Sequence, residues 1–306
     1  MKPAWLLIWY AASFVAGRFV VGAVYGALLR GGHLRRNFQG RDIPASVGAG
    51  FALMAMLQAP FAALLPEWHF PAAKMMEMLA VCCGFGVLGL LDDLAQSRER
   101  GGISGHLKKL GGSGRISTAV MKAFFGLALC FGVRITLGVR GGWISVVVDT
   151  LIIALSANAV NLLDVKPGRA IKGFVFAMFL LVGGSLALQH GGGAATVLPG
   201  TLVLLVPFAL WALASWPYDL GCRAMMGDAG SNVLGAALGL AAVWELSFVS
   251  RIVVLSLLVV YHVVCEVGSL SAIIHSVPPL RWADNFGVKL LAPAKAEGFD
   301  KENCKD

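Results

Sequence analysis

The chain alternates between apolar stretches of membrane-spanning length and short polar islands. Nine apolar stretches stand out, at residues 4–29, 44–65, 75–91, 117–139, 143–163, 173–189, 195–216, 230–247 and 251–274. Each is near the ~20 residues that a helix needs to cross a bilayer, where every backbone polar group must be satisfied internally. They lack the polar face that a surface helix of a soluble protein would present. The pattern predicts an all-α, polytopic helical membrane protein with about nine transmembrane helices. Residues 1–276 are expected to form a single transmembrane helical domain. Residues 277–306 read as a cytoplasmic tail with one short amphipathic piece near Arg281–Leu291. The first stretch is too long for a cleaved leader and follows no basic region beyond Lys2, so it is expected to be a retained span.

Composition agrees, with 58% hydrophobic and only 14% charged residues. A soluble chain carries closer to a quarter charged residues. Of six cysteines, four lie within apolar runs and none is spaced with His or Cys as a metal site requires, so they read as small apolar fillers.

The formal charge of +8 would suit nucleic acid, but its distribution points elsewhere. With nine crossings, the loops 30–43, 94–116 and 164–172, Arg223 and the tail fall on one side, and carry eighteen of the 25 Lys and Arg. The other side receives Lys2, Lys74, Arg140 and Arg251. Cytoplasmic loops are the ones enriched in Lys and Arg, so the N-terminus is expected outside and the C-terminus in the cytoplasm. The expected partner is the membrane, with no nucleic acid, and Lys166, Arg169 and Lys172 are expected to lie beside anionic lipid.

On that topology three acidic motifs reach one membrane face. "LLDDLAQ" (Asp92, Asp93) closes the third span, "NAVNLLD" (Asn158, Asn161, Asp164) closes the fifth, and "MMGDAGSN" (Asp228) opens the eighth. Asp92, Asp93 and Asp164 stand at helix C-termini, where the helix dipole disfavours negative charge. Clustering like charges adds to that cost. Such a cluster persists only if lysine, arginine or a hard divalent ion neutralises it. Asp228 stands at a helix N-terminus beside glycines, where backbone N–H groups favour anions. A metal-chelated diphosphate would satisfy acidic residues, helix N–H groups and basic loops together.

In order and spacing, these motifs resemble those of the polyprenyl-phosphate N-acetylhexosamine-1-phosphate transferases, glycosyltransferase family 4, with its MraY-like and WecA-like branches. The similarity begins at "QGRDIPASVGAG" (residues 39–50) and runs through the eighth span. The resemblance implies Mg2+-dependent transfer of a sugar-1-phosphate from a UDP-sugar to undecaprenyl phosphate, with release of UMP, in bacterial cell-envelope glycan synthesis such as that of peptidoglycan. Mn2+ could stand in for Mg2+. It implies a multi-pass protein of the bacterial plasma membrane with a cytoplasmic active face, and leaves a homodimer open. Asp92 and Asp93 would engage or deprotonate the lipid phosphate, and Lys122 in "MKAFFG" would lie near the phosphates. Asp228 would be the metal ligand, with Asn158, Asn161 and Asp164 lining the nucleotide pocket. Met225 occupies a place where MraY-like members carry an aromatic residue. Pro167 replaces a second aspartate after Asp164, the family's histidine-rich loop has no counterpart, and the tail offers His275 alone. These departures keep a second reading open, a relative that binds polyprenyl phosphate or nucleotide without turnover.

Two further sets of charges lie inside spans. Arg134 and Asp149 stand at matching depths in successive spans and are expected to pair, because an unpaired charge there is costly. His262 and Glu266, four apart, share a helix face, as a packing pair or in an acceptor groove.

Overall fold

The computed structural model describes residues 3–37, 39–63, 72–95, 118–138, 142–190 and 204–288. Among the described residues the chain is helical apart from one hairpin. α1 (Pro3–Arg30) leads into β1 (Leu34–Arg36) and β2 (Asp42–Pro44), which pair antiparallel with Arg35 opposite Ile43. There follow α2 (Ala49–Ala63), α3 (Ala72–Leu94), α4 (Thr118–Val133), α5 (Trp143–Leu163) and α6 (Arg169–His190). α7 (Val206–Asp219), α8 (Asp228–Glu245), α9 (Phe248–Val267), α10 (Leu270–Ser276) and α11 (Pro278–Asn285) complete the described chain. A π-helical turn, Arg134–Gly138, extends α4.

Six helices, α1, α3, α4, α5, α6 and α9, are long and apolar enough to cross a membrane. Their exposed faces carry large apolar side chains such as Phe19, Phe124, Phe176 and Leu257, as lipid-facing surfaces do. α2, α7 and α8 fall short of that length or apolarity. For α8 the cause is location: nearly all of its residues from Ala229 to Val243 are buried. A helix shielded from lipid need not be greasy; it must be slim. Its Gly235 lies against the backbone of Ser156 on α5, and Gly89 of α3 lies against the Asp228 carbonyl. A Cβ at either position would collide with backbone, and small residues are what allow membrane helices to approach this closely. α9 is the opposite case, a Val- and Leu-rich helix with no buried residue.

The structure shifts several expected boundaries. The apolar stretch from residue 44 becomes helical only at Ala49, because Asp42–Pro44 pair with β1. The last long span ends at Val267 rather than 274; Gly268 breaks it, and Ser269 caps α10 by accepting from the Ala272 N–H at 3.3 Å. Residues 195–203 and the basic residues Arg98, Arg100, Lys108, Lys109 and Arg115 lie outside the described residues, as do those after 288.

The pair Arg134–Asp149 forms, at 2.9 Å, within a larger group. Arg134 also bonds Glu77 of α3 (3.0 Å), Arg251 of α9 bonds Asp149 (2.5 Å), and Trp244 of α8 donates to Glu77 (2.7 Å). Both carboxylates are almost wholly buried. This four-charge knot ties α3, α4, α5 and α9 at the end of the bundle away from Asp92, Asp164 and Asp228.

Candidate functional site

The sites of interest begin with geometry along α3. Consecutive helical residues point about 100° apart, so Asp92 and Asp93 cannot face the same partner. Asp93 turns to the start of α8, where it accepts from the N–H groups of Asp228 (3.2 Å) and Ala229 (3.1 Å). The N-cap of α8 is Gly227, which offers no side chain. Asp93 supplies the missing acceptor from another helix, a role worth about 0.5–2 kcal/mol at helix starts. Gly227 takes φ 74°, and a Cβ there would come within 2.6 Å of Asp93 Oδ2, so glycine is required on both counts. Arg35 of β1 donates to the carbonyls of Asp92 and Asp93 and lies 3.5 Å from the Asp93 carboxylate. One guanidinium thus offsets the negative end of α3 and the buried acid beside it.

Asp92 faces the other way. Lys122 of α4 bridges it to Asp228: Nζ lies 3.6 Å from Asp92 Oδ2 and in direct contact with Asp228 Oδ2. Asn161 donates to the same Asp228 oxygen at 3.3 Å and accepts from the Ser231 hydroxyl at 2.9 Å. Asp164 receives the Gly227 N–H at 3.1 Å. The structure therefore brings together Asp92, Asp93, Lys122, Asn161, Asp164 and Asp228, drawn from α3, α4, the end of α5 and the start of α8. Asn158, half-buried on α5, makes no side-chain hydrogen bond among the described residues.

Beside this cluster opens a cleft lined by Asp164, Lys166, Pro167, Asp219, Cys222 and Met225 among others. Met225 is set in its wall by the "DIPASVG" segment: its N–H donates to the Pro44 carbonyl (2.9 Å) and its carbonyl accepts from Val47 (3.2 Å). Asp219, at the end of α7, was not among the expected site residues. It is buried and accepts the Gly168 N–H at 2.6 Å. A clue was present, since Asp219 lies between Pro217 and Gly221 where an apolar run ends, as Asp164 does. Burial, then the charges of Asp219, Asp228 and Asp93, push the Asp164 carboxyl well above the usual carboxylate range. Burial likewise pushes Asp219 up to about 6.

Five aspartates (92, 93, 164, 219 and 228) thus gather around Lys122 and Arg35, with Lys166 lining the cleft beside Asp164 and Asp219 and the Lys172 charge acting on Asp219. Carboxylates gathered this densely are stable only with cations beside them. Among the described residues no three His, Cys, Asp or Glu side chains close into a metal cage. Asp92 and Asp228 are the carboxylates that could contribute to a site for Mg2+, which keeps waters and uses one or two carboxylates plus substrate phosphates; in this structure the Lys122 ammonium lies between them.

The basic loop after Asp164 departs from expectation. Arg169 is buried against Asp284 of α11 rather than set beside lipid, and Lys172 donates to the carbonyls of Ala283 and Asp284.

Comparison with known proteins bears on the same helices. A phospho-N-acetylmuramoyl-pentapeptide-transferase of Oleidesulfovibrio alaskensis is 30% identical over 185 residues, covering 54% of this chain and 50% of that protein. One of Desulforudis audaxviator is 28% identical over 240 residues, 72% of this chain and 67% of its own length. The chain thus spans about half the length of the Oleidesulfovibrio alaskensis relative and of a similar one from Nitratidesulfovibrio vulgaris. The model of glycosyl transferase family 4 matches residues 75–246, a stretch that contains all five aspartates, Lys122 and Asn161. With more than half its length matched, and with apolar helices that make it a multi-pass membrane protein, this chain belongs to glycosyl transferase family 4.

Proposed function

We propose that the protein transfers a sugar-1-phosphate of the N-acetylhexosamine type from a UDP-sugar to a polyprenyl phosphate, with release of UMP. The observation that carries this reading is the acidic cluster within the family-matched region, where Lys122 bridges Asp92 and Asp228 beside the cleft. In the reaction, an oxygen of the lipid phosphate attacks the sugar-bearing phosphorus of the donor; that P–O bond forms as the bond to the UMP oxygen breaks. Catalysis of this type rests on positioning and charge neutralisation.

Each residue has a part in this scheme. Asp228 would hold Mg2+, which when bound would neutralise charge on the diphosphate. Asp92, the more open member of the acidic pair, takes the proton of the incoming lipid phosphate. Asp93 keeps α8 in register, a structural part in place of direct contact with lipid. Lys122 contacts the phosphates, and Asn161 orients Asp228. Asp164, Asp219 and Met225 face the nucleoside end, with Asn158 nearly two turns before Asp164. The cation distribution supports nine crossings, an external N-terminus and an active face on the cytoplasmic side of the bacterial plasma membrane.

The test is UMP release from UDP-linked N-acetylhexosamines with undecaprenyl phosphate and Mg2+. The expected result is turnover in the wild type and its loss in Asp228→Asn and Asp92→Asn. Binding of polyprenyl phosphate without UMP from any donor would replace this reading with a non-catalytic binding protein.

A further inference from the structure

The loop between Asp164 and α6 is clamped from outside by the C-terminal segment. Arg169 forks onto both oxygens of Asp284, Nε at 2.8 Å and Nη2 at 2.9 Å, and gives a third hydrogen bond to Ser271 at 3.0 Å. Both side chains of the ion pair are about 5% exposed. Removing two charges from water is costly and is repaid only in a well-formed geometry, so this latch fixes its surroundings firmly. Lys172 adds hydrogen bonds to the last carbonyls of α11, where a cation meets the negative end of the helix. Farther along, Gly287 comes to rest beside Leu220.

The latched segment carries His275 to the cleft. Its Nε2 lies 2.8 Å from Nζ of Lys166, a residue that lines the cleft together with Asp164 and Met225. An ammonium only donates, so the imidazole accepts through Nε2 and its other nitrogen carries the proton. No carboxylate lies within ion-pair distance of Lys166 among the described residues. Two basic groups thus share one rim, and His275 and Asp284 both stand outside the family-matched residues 75–246.

We propose that Lys166 and His275 form a phosphate contact at the rim of the cleft, held in place by the Arg169–Asp284 latch. This rests on the phosphosugar-transfer reading of the same site. The phosphate could belong to a soluble nucleotide-sugar or to the lipid acceptor, and the two sources are separable. Asp284 and Arg169 are positioning residues; Lys166 and His275 touch the ligand.

The experiment uses the full chain in nanodiscs. The dissociation constant of UDP-N-acetylglucosamine with Mg2+ is measured by calorimetry, and undecaprenyl phosphate retention is measured separately. Lys166→Ala is expected to weaken one of the two by roughly tenfold, with Lys166→Arg restoring most of it. His275→Ala gives a smaller loss, and none when added to Lys166→Ala. Asp284→Asn raises KM for the same ligand with kcat retained, and Asp284→Glu recovers part of it. Loss on the soluble donor assigns the contact to the nucleotide diphosphate; loss on the lipid assigns it to the acceptor. Unchanged binding of both ligands in Lys166→Ala, a partly exposed site where folding is not at stake, overturns the proposal. Absence of UMP release by the wild type would instead count against the transfer reading, while the lipid arm still decides the contact.

Discussion

Two charged clusters occupy opposite ends of one helix bundle, and they are built on different principles. On α3 the residues Glu77 and Asp92 are fifteen positions apart, as are Asp149 and Asp164 across α5 and its end, which places the clusters roughly 22 Å apart by the helical rise. At one end, Glu77 and Asp149 meet Arg134 and Arg251, two charges of each sign, closed from solvent. At the other, five aspartates gather around Lys122 and Arg35 beside a cleft that Lys166 also lines. The balanced knot needs nothing more and serves to hold helices. The acid-rich one opens on the cleft, and on the proposed reading it is where a divalent cation would be held. Charge in a membrane protein thus marks function where it is left over, and structure where it cancels.

The sharpest way to break this contrast is to unbalance the closed knot. Asp149→Leu strands Arg134 and Arg251 beside Glu77, and is expected to lower stability by about 3–5 kcal/mol, the usual cost of halving a buried ion pair. Thermal unfolding in detergent would register it. Adding Arg134→Met should give only partial recovery, since Arg251 and Glu77 keep their charges; full recovery would reduce the foursome to a simple pair.

At the open end the effects should fall on turnover. Asp228→Asn is expected to cut UMP release by about 10²–10³, comparable to removal of one transition-state electrostatic group, while the fold is retained or slightly firmer. A variant that both unfolds and inactivates would make the acidic cluster another structural knot. Gly89→Ala probes the join between the two principles. Its methyl must push the Asp228 carbonyl away from α3, at about 1–3 kcal/mol for forced overpacking, and UMP release should fall more than the loss of folded protein explains. Asp93→Ala should cost about 0.5–2 kcal/mol through the lost cap on α8, read by thermal unfolding.

The smallest effects concern pH. Burial raises Asp219 to about 6, above its unfolded value, so the folded chain binds more protons than the unfolded one between about pH 4 and 6. Its cost is therefore fully present above about pH 6 and is relieved as pH falls. Metal-free protein is expected to gain thermal stability from pH 7 to 5, and Asp219→Asn should flatten that slope. Asp284 behaves oppositely, because hydrogen bonds from Arg169 hold its carboxyl below the usual range. The latch stabilises the fold above the ordinary carboxylate pKa and is lost only in more acid solution. Measuring the midpoint against pH for Asp284→Asn separates the two.

Much of this is legible in the sequence. Helix periodicity and hydropathy locate the long helices, since burial in lipid acts on each stretch independently. Arg134 and Asp149 could be paired because adjacent spans of known length bring matching depths together. Glu77 and Arg251 could not be added, because no local rule says which non-adjacent helices touch. Asp92 and Asp93 read as equivalents in sequence, and only the direction of α8 makes one a helix cap and the other a site residue. Asp219 escaped notice since α7 meets Asp164 through tertiary packing alone.

The sequence by itself thus determined the helices, their apolar faces and the presence of surplus acid at particular helix ends, because each depends on neighbours along the chain and on solvent. Tertiary structure alone decided that slim α8 runs through the core, which cations answer which acids, and that the C-terminal segment locks onto the Asp164 loop. Those outcomes depend on close approach between distant segments, set by where glycine lets two backbones meet.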